Sequence, residues 1–271
     1  MQILATDLDR TLLPNGSWPA DSEAIGMFNE LTAQQDVLVV YVTGRNLNLT
    51  ERAIEEFGVR LPSILCGDVG TTIRKHENGQ WAFDHGWTEH VRRASPRWDA
   101  AAIRDAVAGV DGLKEQASEH QNQFKQSYDV DLDKTDQVLE TVNTLVQGRF
   151  DEVIVYSVDA QENKDLLDFL PGSATKQTAL EYVAEEYGTP KEEVVFCGDS
   201  GNDISPLTAG FAGVLVRNAD DQLVQKVKDA MTDNPDLQVY FAKGGFKGLS
   251  GYYTSGVLEG AFHYGVLRDS G

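Results

Sequence analysis

Short apolar runs alternate with longer amphipathic stretches in the first part of the chain. The apolar runs at 2–6, 37–42 and 62–66 predict buried strands, and the stretches at 20–34 and 47–57 predict helices between them. This strand–helix rhythm is typical of a parallel sheet whose crossover helices cover its faces.

The pattern changes in the middle of the chain. TTIRKHENGQWAFD carries Asn78-Gly79 near its centre, a pair that favours a β-hairpin. From about 86 to 160 we expect helices interleaved with antiparallel strands. The expected elements are helices at 96–109 and 134–147 and strands that include FKQSYDV and EVIVYSV. This mixture predicts a small α+β module.

The parallel pattern resumes from Thr175. The expected elements are a helix at 176–187, strands at 194–199 and 213–218, and a closing helix in YTSGVLEGAFHYGVL. We therefore predict an α/β fold with a doubly wound, Rossmann-like parallel-sheet core and an inserted α+β cap domain. The core would comprise residues 1–85 and 162–271, and the cap residues 86–161.

Composition narrows the class of protein. The 271 residues are 41% hydrophobic and 9% aromatic, as in folded soluble domains. The longest apolar run, 37–42, is far shorter than the roughly 20 residues of a membrane helix, and acids at positions 7 and 9 do not fit a signal peptide. Cys66 and Cys197 follow apolar runs and predict small core residues in a reducing compartment, so we expect a cytoplasmic protein.

Acidic residues dominate the charge. The 43 Asp and Glu residues outnumber 23 Lys and Arg residues, which gives a net charge of −20. This charge argues against a nucleic acid or an anionic membrane as a direct partner. It predicts a strongly solvated surface; the alternative is a salt-rich cytoplasm that screens the repulsion between carboxylates.

Residues with catalytic chemistry follow the first two predicted strands. Asp7 and Asp9 in MQILATDLDRTLL alternate to the same side of an extended segment. One carboxylate can then act as nucleophile while the other holds or moves a proton, although a lone D-x-D is more often a turn. VLVVYVTGR brings Thr43, Gly44 and Arg45 to the next strand end, either as an anion-binding loop or as a helix start capped by Thr43.

VVFCGDSGNDISPL is the most specific of these segments. A buried strand ends in Asp199, glycines loosen the turn, and Asn202-Asp203 begin a helix. Carboxylates four residues apart around such a turn can converge on Mg²⁺, whereas a capped turn alone leaves Asp199 unexplained. Lys176 begins a predicted helix, where the macrodipole disfavours a cation unless an anionic site lies nearby.

Taken in order, the D-x-D, T-G-R, K and G-D-x-x-N-D segments resemble the motif series of the haloacid dehalogenase superfamily. The insert resembles the large cap of its Cof-like and sucrose-phosphatase-like branch. DLDRTLL, FKQSYDVD, GVLVRNA and SGVLEGAFHYG are similar to the sucrose-phosphate phosphatase group. Two departures stand out: Arg10 replaces the usual Asn or His, and LPGSATKQTA lacks the asparagine and glycine that often flank its lysine.

The resemblance implies a phosphatase that forms an aspartyl-phosphate. It implies that Asp7 is the nucleophile and that Asp9 is the general acid and then the general base. The implied Mg²⁺ ligands are Asp7, Asp199, the backbone carbonyl of Asp9 and, directly or through water, Asp203. The implied phosphate contacts are Thr43, Gly44, Lys176 and Asn202. Mg²⁺ and Lys176 would let a chain of negative charge bind an anionic substrate.

The resemblance implies a small sugar phosphate as the substrate, first of all sucrose 6-phosphate or a similar disaccharide phosphate such as mannosylfructose phosphate. Lys125, Ser127 and Tyr128 in FKQSYDV are candidates to contact the sugar, together with Arg45 and the loop 67–72. For Lys125 and Ser127, a surface lysine and an ordinary strand hydroxyl are equally good interpretations.

Other functions fit the same motifs. The alternatives are a broad-specificity Cof-like sugar phosphatase, a mannosyl-3-phosphoglycerate phosphatase-like enzyme and a phosphomutase. A non-catalytic scaffold would be expected to have lost at least one of Asp7, Asp9, Lys176 and Asp199, and all four are present. We expect a monomer or a weak homodimer.

Overall fold

The computed structural model describes residues 2–159 and 164–269. Contacts between Cα atoms divide the chain into two compact units. One, here called the core unit, runs up to Asp84 and resumes at Lys176, and the other, the cap unit, is His85–Thr175.

Strands and helices occupy most of both units. The strands are β1 (Gln2–Thr6), β2 (Val37–Val42), β3 (Ile64–Gly67), β4 (Thr72–Glu77), β5 (Gln80–Phe83), β6 (Leu113–Glu115), β7 (Gln126–Val130), β8 (Glu152–Asp159), β9 (Lys164–Pro171), β10 (Val194–Gly198), β11 (Ala212–Leu215) and β12 (Val239–Phe241). The helices are α1 (Ala24–Gln34), α2 (Leu47–Phe57), α3 (His85–Ala94), α4 (Ala100–Val107), α5 (Thr135–Val146), α6 (Lys176–Glu186), α7 (Ile204–Leu207), α8 (Asp221–Asp233) and α9 (Thr254–His263).

The core unit contains an eight-stranded sheet in the order β12-β11-β10-β1-β2-β3-β4-β5. Neighbours from β12 to β3 are parallel, and β4 and β5 add an antiparallel hairpin. The hairpin turns at Asn78 and Gly79, whose φ angles of 51° and 77° are those of the left-handed region that a tight two-residue turn requires. The predicted doubly wound α/β fold is confirmed.

Four of the five residues of β1, Ile3–Thr6, are buried, as expected for a strand near the centre of the sheet. Leu4 is fully buried in a cluster with Val39 of β2, Val195 of β10 and Val257 of α9. Cys66 and Cys197 are free and buried, as the sequence predicts. In the described parts of the chain, no helix is long and apolar enough to cross a membrane.

The cap unit contains an antiparallel sheet in the order β6-β7-β9-β8. Its hydrophobic core includes Ile103 of α4, Val138 of α5, and Tyr128 and Phe169 of the sheet. The expected α+β character of the insert is therefore present.

In this region the observed elements differ from the predicted ones. The helix expected at 96–109 is only Ala100–Val107. It begins there because Asp99 caps it by accepting a hydrogen bond from the Ala102 N–H at 3.0 Å. The sequence prediction also missed α3 and β9. The domain boundary expected between 161 and 162 lies outside the described residues, and the cap unit extends to Thr175 because β9 pairs with both β7 and β8.

Candidate active site

Residues with catalytic chemistry follow three adjacent parallel strands. β1 lies between β10 and β2, and the strand order reverses there, since β2 and β3 follow on one side and β10 and β11 on the other. Ligands bind at the carboxyl ends of strands at such a reversal. Asp7, Thr43 and Asp199 each come directly after one of these strands and so lie at this edge.

Lys176 links several of these side chains. Its Nζ lies 3.1 Å from Asp7 Oδ1, 2.8 Å from Asp203 Oδ1 and 3.1 Å from Asn202 Oδ1, and the side chain is only 2% exposed. Burial lowers the pKa of Lys176, but the carboxylates of Asp203 and Asp7 outweigh burial and raise it above its usual range. The lysine is therefore a buried ammonium ion that joins the segments following β1 and β10.

The turn after β10 is shaped by Asp203. Its Oδ2 accepts hydrogen bonds from the N–H groups of Asp199 at 3.0 Å and Ser200 at 3.3 Å. A Cβ at Gly198 would lie 2.7 Å from the Asp203 side chain, whereas a Cβ at Gly201 would have no described atom within 4 Å. Only the first glycine of this segment is therefore required by a close approach.

Three carboxylates form a candidate metal site. Asp7, Asp199 and Asp203 each offer an oxygen within 4.8 Å of the others. Asp199 Oδ1 accepts a hydrogen bond from the Thr11 hydroxyl at 3.0 Å, but Asp199 Oδ2 is buried and has no hydrogen-bond partner among the described residues. Among the described residues, the Arg10 guanidinium, whose Nε lies 3.2 Å from this oxygen without hydrogen-bond alignment, offsets part of the cost of burying it, and a metal ion could offset the rest.

The pKa values of Asp7 and Asp199 also favour a cation at this site. Burial raises the pKa of Asp7 to about 7 even though Lys176 opposes the shift. Burial, followed by the charges of Asp203 and Asp7, raises the pKa of Asp199 well above its usual range. Asp7 and Asp199 therefore favour their neutral forms more than an exposed aspartate does, unless a further cation joins the cluster. Carboxylate oxygens are the donors that Mg²⁺ prefers, so the residues present fit this ion.

Asp9 is held differently from Asp7. Its Oδ1 accepts hydrogen bonds from Arg45 Nη2 and Asn15 Nδ2, both at 2.6 Å, and its Oδ2 accepts one from Arg45 Nε at 2.8 Å. Burial raises the pKa of Asp9, but the hydrogen bonds and charge of Arg45 outweigh it and lower the pKa overall. Arg45 therefore contacts the candidate acid, and its contact with the substrate stays a prediction from the sequence.

Thr43 and Gly44 lie between β2 and α2. The Thr43 side chain is fully buried and its hydroxyl oxygen accepts a hydrogen bond from the Arg45 N–H at 3.2 Å, while Gly44 is exposed. The alternative that Thr43 caps the helix is wrong, because Asn46 does so by accepting from the Leu49 N–H at 3.0 Å.

A strained loop supports this segment. Asp68 and Val69 have φ angles of 52° and 63°, in the left-handed region that is rare for a β-branched residue such as valine. The Asp68 N–H donates to Arg45 O and the Val69 N–H to Thr43 O, both at 2.9 Å. These contacts hold the backbone of the T-G-R segment, and the role of the loop 67–72 in lining the pocket stays a prediction. Strain of this kind is common where function needs a fixed geometry.

The cap candidates lie in β7 or directly before it, and their side chains point to two different faces. The Ser127 hydroxyl donates to Asp168, and Lys125 Nζ lies 3.8 Å from the same carboxylate. Tyr128 points to the opposite face, where its ring packs edge-on against Phe169 at 5.6 Å between centroids in the hydrophobic core of the cap unit. The structure therefore places Lys125 and Ser127 together and Tyr128 apart from them.

The sequence analysis missed three residues that contact the site. Thr11 and Asn15 hydrogen-bond to Asp199 and Asp9, and Arg10 Nε lies 3.2 Å from Asp199 Oδ2, an ion-pair distance without hydrogen-bond alignment. In the sequence, Arg10 stands out only as a departure from the sucrose-phosphate phosphatase group. Proximity to the D-x-D pair was the one available signal for all three.

Comparison with known proteins agrees with this architecture. The sequence profile of the sucrose-6F-phosphate phosphohydrolase family matches residues 1–265. The chain belongs to this family. It is thus a sugar-phosphate phosphatase of the haloacid dehalogenase superfamily, and the resemblance read from the motifs is confirmed.

Individual relatives cover the chain to different extents. A putative HAD-like hydrolase of Nitrosococcus oceani is 36% identical over 267 residues, 97% of this chain and 71% of that protein. The mannosylfructose-phosphate phosphatase of Agrobacterium fabrum is 26% identical and covers 98% of both chains. The chain spans about half the length of the plant sucrose-phosphatases that it matches, for example 55% of one from Arabidopsis thaliana.

A solved structure has the same fold. The sucrose-phosphatase of a Synechocystis species, determined with sucrose and phosphate, aligns with a TM-score of 0.76 over 99% of both chains at 24% sequence identity. At this identity the likeness shows the fold.

Proposed function

We propose that this phosphatase hydrolyses a disaccharide phosphate, with sucrose 6-phosphate as the first candidate, through a Mg²⁺-dependent aspartyl-phosphate mechanism. The observation that carries the proposal is the buried pair in which Lys176 Nζ lies 3.1 Å from Asp7 Oδ1 beside Asp199 and Asp203. This pair combines a nucleophile with a fixed positive charge, as phosphoryl transfer requires.

In the first step an oxygen of Asp7 attacks phosphorus, and the bond between phosphorus and the sugar oxygen breaks. Asp9 gives its proton to the departing sugar oxygen. In the second step Asp9 takes a proton from water, whose oxygen attacks phosphorus and releases phosphate from Asp7. The same carboxyl group thus acts as acid and then as base, which leaves the enzyme unchanged.

The remaining residues position the phosphoryl group. We propose that the Thr43 hydroxyl and the Gly44 N–H donate to phosphoryl oxygens, and that Lys176, oriented by Asn202, offsets their negative charge. Asp7, Asp199 and the Asp9 carbonyl would hold Mg²⁺. Both oxygens of Asp203 already accept hydrogen bonds, so we expect Asp203 to act through a bound water. When bound, Mg²⁺ supplies further neutralisation of the phosphoryl charge.

The choice of a disaccharide phosphate rests on family membership and on the mannosylfructose-phosphate phosphatase, which matches this chain along its whole length. Direct contact of Lys125 and Ser127 with the sugar remains a prediction from the sequence.

A phosphate-release screen tests the proposal. Purified protein with Mg²⁺ would be offered sucrose 6-phosphate, mannosylfructose phosphate, mannosyl-3-phosphoglycerate, and glucose and fructose phosphates, with Asp7→Asn as the background control. We expect the fastest release from a disaccharide phosphate. Conversion of a sugar phosphate into an isomer without release of phosphate would instead identify a phosphomutase.

A further inference from the structure

Arg10 places a positive charge against a carboxylate of the candidate metal site. Its Nε lies 3.2 Å from Asp199 Oδ2, the buried oxygen that has no hydrogen-bond donor among the described residues. The other end of the guanidinium is held by Asp220, whose Oδ1 accepts from Arg10 Nη2 at 2.6 Å. Arg10 is therefore shared between a buried carboxylate and a half-exposed one.

The backbone of Arg10 is fixed from both sides. Its N–H donates to Asn15 Oδ1 at 2.7 Å, and its carbonyl accepts from Asn218 Nδ2 at 2.6 Å. Its φ angle of 58° lies in the left-handed region, which arginine seldom adopts. The contact with Asp199 thus comes from a residue whose backbone position is constrained by two side-chain hydrogen bonds.

Asp220 is linked to both partners of the contact between Arg10 and Asp199. Its N–H donates to the carbonyl of Asp199 at 2.8 Å, so the two aspartates are joined through the backbone. Asp220 is the N-cap residue of α8, but its side chain caps no N–H group and pairs with Arg10 instead. A residue type that normally caps a helix is here used to hold an arginine.

We propose that Arg10 is a resident cation that competes with Mg²⁺ for Asp199, and that Asp220 limits this competition by holding part of the guanidinium charge. This inference rests on the Mg²⁺ site of the proposed function. A positive charge beside a ligand oxygen repels an incoming dication, and the repulsion is strong because Asp199 is shielded from water. In the metal-free protein the same contact offsets the burial of Asp199.

The two residues should have opposite effects on metal affinity. Without Arg10 the repulsion is lost while the side chains of Asp199 and Asp220 remain in place, so Mg²⁺ should bind more tightly. Without the charge of Asp220, Asp199 is the one acidic partner left to the guanidinium among the described residues, and Mg²⁺ should bind more weakly. A merely structural role for the pair would instead lower stability in both variants and leave the metal affinity unchanged.

The test is a Mg²⁺ titration of chelator-treated protein followed by thermal melting, which reports binding without substrate. Arg10→Asn is suitable because asparagine tolerates the left-handed region, and we expect its Mg²⁺ dissociation constant to fall about tenfold, or about 1.4 kcal/mol. We expect Asp220→Asn to raise the constant by about threefold or more. Arg52→Asn, at an exposed position on α2, and Asp221→Asn, next to Asp220, are controls for the change in net charge.

The outcomes separate this inference from the proposed function. One outcome is that the wild type binds Mg²⁺ while Arg10→Asn and Arg52→Asn have equal Mg²⁺ dissociation constants. That result would overturn the role of Arg10 and leave the phosphatase mechanism intact. A lower affinity in Arg10→Asn would also overturn it. Absence of Mg²⁺ binding by the wild type would overturn the metal assignment itself and the inference with it.

Discussion

Arg45 donates hydrogen bonds to both carboxylate oxygens of Asp9: Nη2 lies 2.6 Å from Oδ1 and Nε lies 2.8 Å from Oδ2. A bidentate pair fixes the plane of a carboxylate as well as its position. It also favours the ionised form, whereas Asp9 must be protonated to act as an acid. The described geometry therefore suits the base step, and the acid step requires Asp9 to leave this pairing or to gain a proton within it.

The pairing of Arg45 with Asp9 predicts that the loss of kcat/KM in variants of either residue depends on the leaving group of the substrate. Asp9→Asn should lower kcat/KM for a sugar phosphate by about 100-fold or more, since the sugar oxygen loses its acid. The loss should be much smaller with p-nitrophenyl phosphate, whose leaving group needs no proton. Arg45→Met should show the same bias, more weakly, if Arg45 acts by orienting Asp9. Equal losses on both substrates would place Arg45 on the phosphate instead.

The nucleophile can be tested without changing the volume of the site. Asp7→Asn should abolish turnover, because an amide cannot form the acyl-phosphate bond. The fold should persist, since Lys176 keeps its contacts with Asp203 and Asn202. Circular dichroism and a thermal melt provide the control for folding. More than a few per cent of the wild-type rate in a folded Asp7→Asn variant would exclude Asp7 as the nucleophile.

The turn after β10 predicts a difference between its two glycines. Gly198→Ala would place a Cβ 2.7 Å from Asp203 and should destabilise the protein by about 1–3 kcal/mol, the usual range for overpacking. Gly201→Ala is the matched control, since no described atom lies within 4 Å of its added Cβ. Urea denaturation measures the free energy of unfolding of both variants. Equal destabilisation by the two substitutions would contradict the close-approach argument.

Regular elements of the core were predictable because each carries its own pattern. β1, β2 and α2 have the predicted bounds, since an apolar run or an amphipathic period marks them without help from distant residues. α3 was missed because HGWTEHVRRA is mostly polar and only Trp87, Thr88 and Val91 are buried. β9 was missed because KDLLDFLP mixes acids into an apolar run, and its partners β7 and β8 decide its conformation.

The site was predictable at the level of motifs but not of contacts. Asp7, Lys176, Asp199 and Asp203 follow strand ends or start helices, so topology alone brings them to one edge. The pairing of Arg45 with Asp9, and of Arg10 with Asp199 and Asp220, depends on side-chain directions across long sequence separations. No local pattern encodes those directions.

The candidate metal site predicts strict dependence on a divalent cation. Chelation should abolish phosphatase activity and Mg²⁺ should restore it, since the buried carboxylates of Asp7 and Asp199 otherwise repel a phosphorylated substrate. Excess Ca²⁺ should inhibit, because it prefers more oxygen ligands and a looser geometry. Full activity in chelator would remove Asp199 and Asp203 from a metal-binding role.

The last prediction concerns which sugar phosphate is preferred. Motifs shared by the superfamily provide the chemistry, so discrimination must come from groups that contact the sugar. A site built to pair the hydroxyls of a disaccharide penalises a monosaccharide, because its buried donors and acceptors are left without partners. We therefore expect kcat/KM for sucrose 6-phosphate or mannosylfructose phosphate to exceed that for glucose 6-phosphate by at least about tenfold, or about 1.4 kcal/mol in the transition state.

Steady-state kinetics with each substrate at the same Mg²⁺ concentration measures this ratio, and p-nitrophenyl phosphate serves as the control, because it carries no sugar. Its kcat/KM reports phosphoryl transfer to Asp7 without any contribution from sugar recognition. If the disaccharide phosphates are preferred, the gain over this reference measures sugar recognition. If hexose phosphates and disaccharide phosphates react equally well, the enzyme is a broad-specificity sugar phosphatase, and the similarity of FKQSYDVD and SGVLEGAFHYG to sucrose-phosphate phosphatases reflects the fold rather than the substrate.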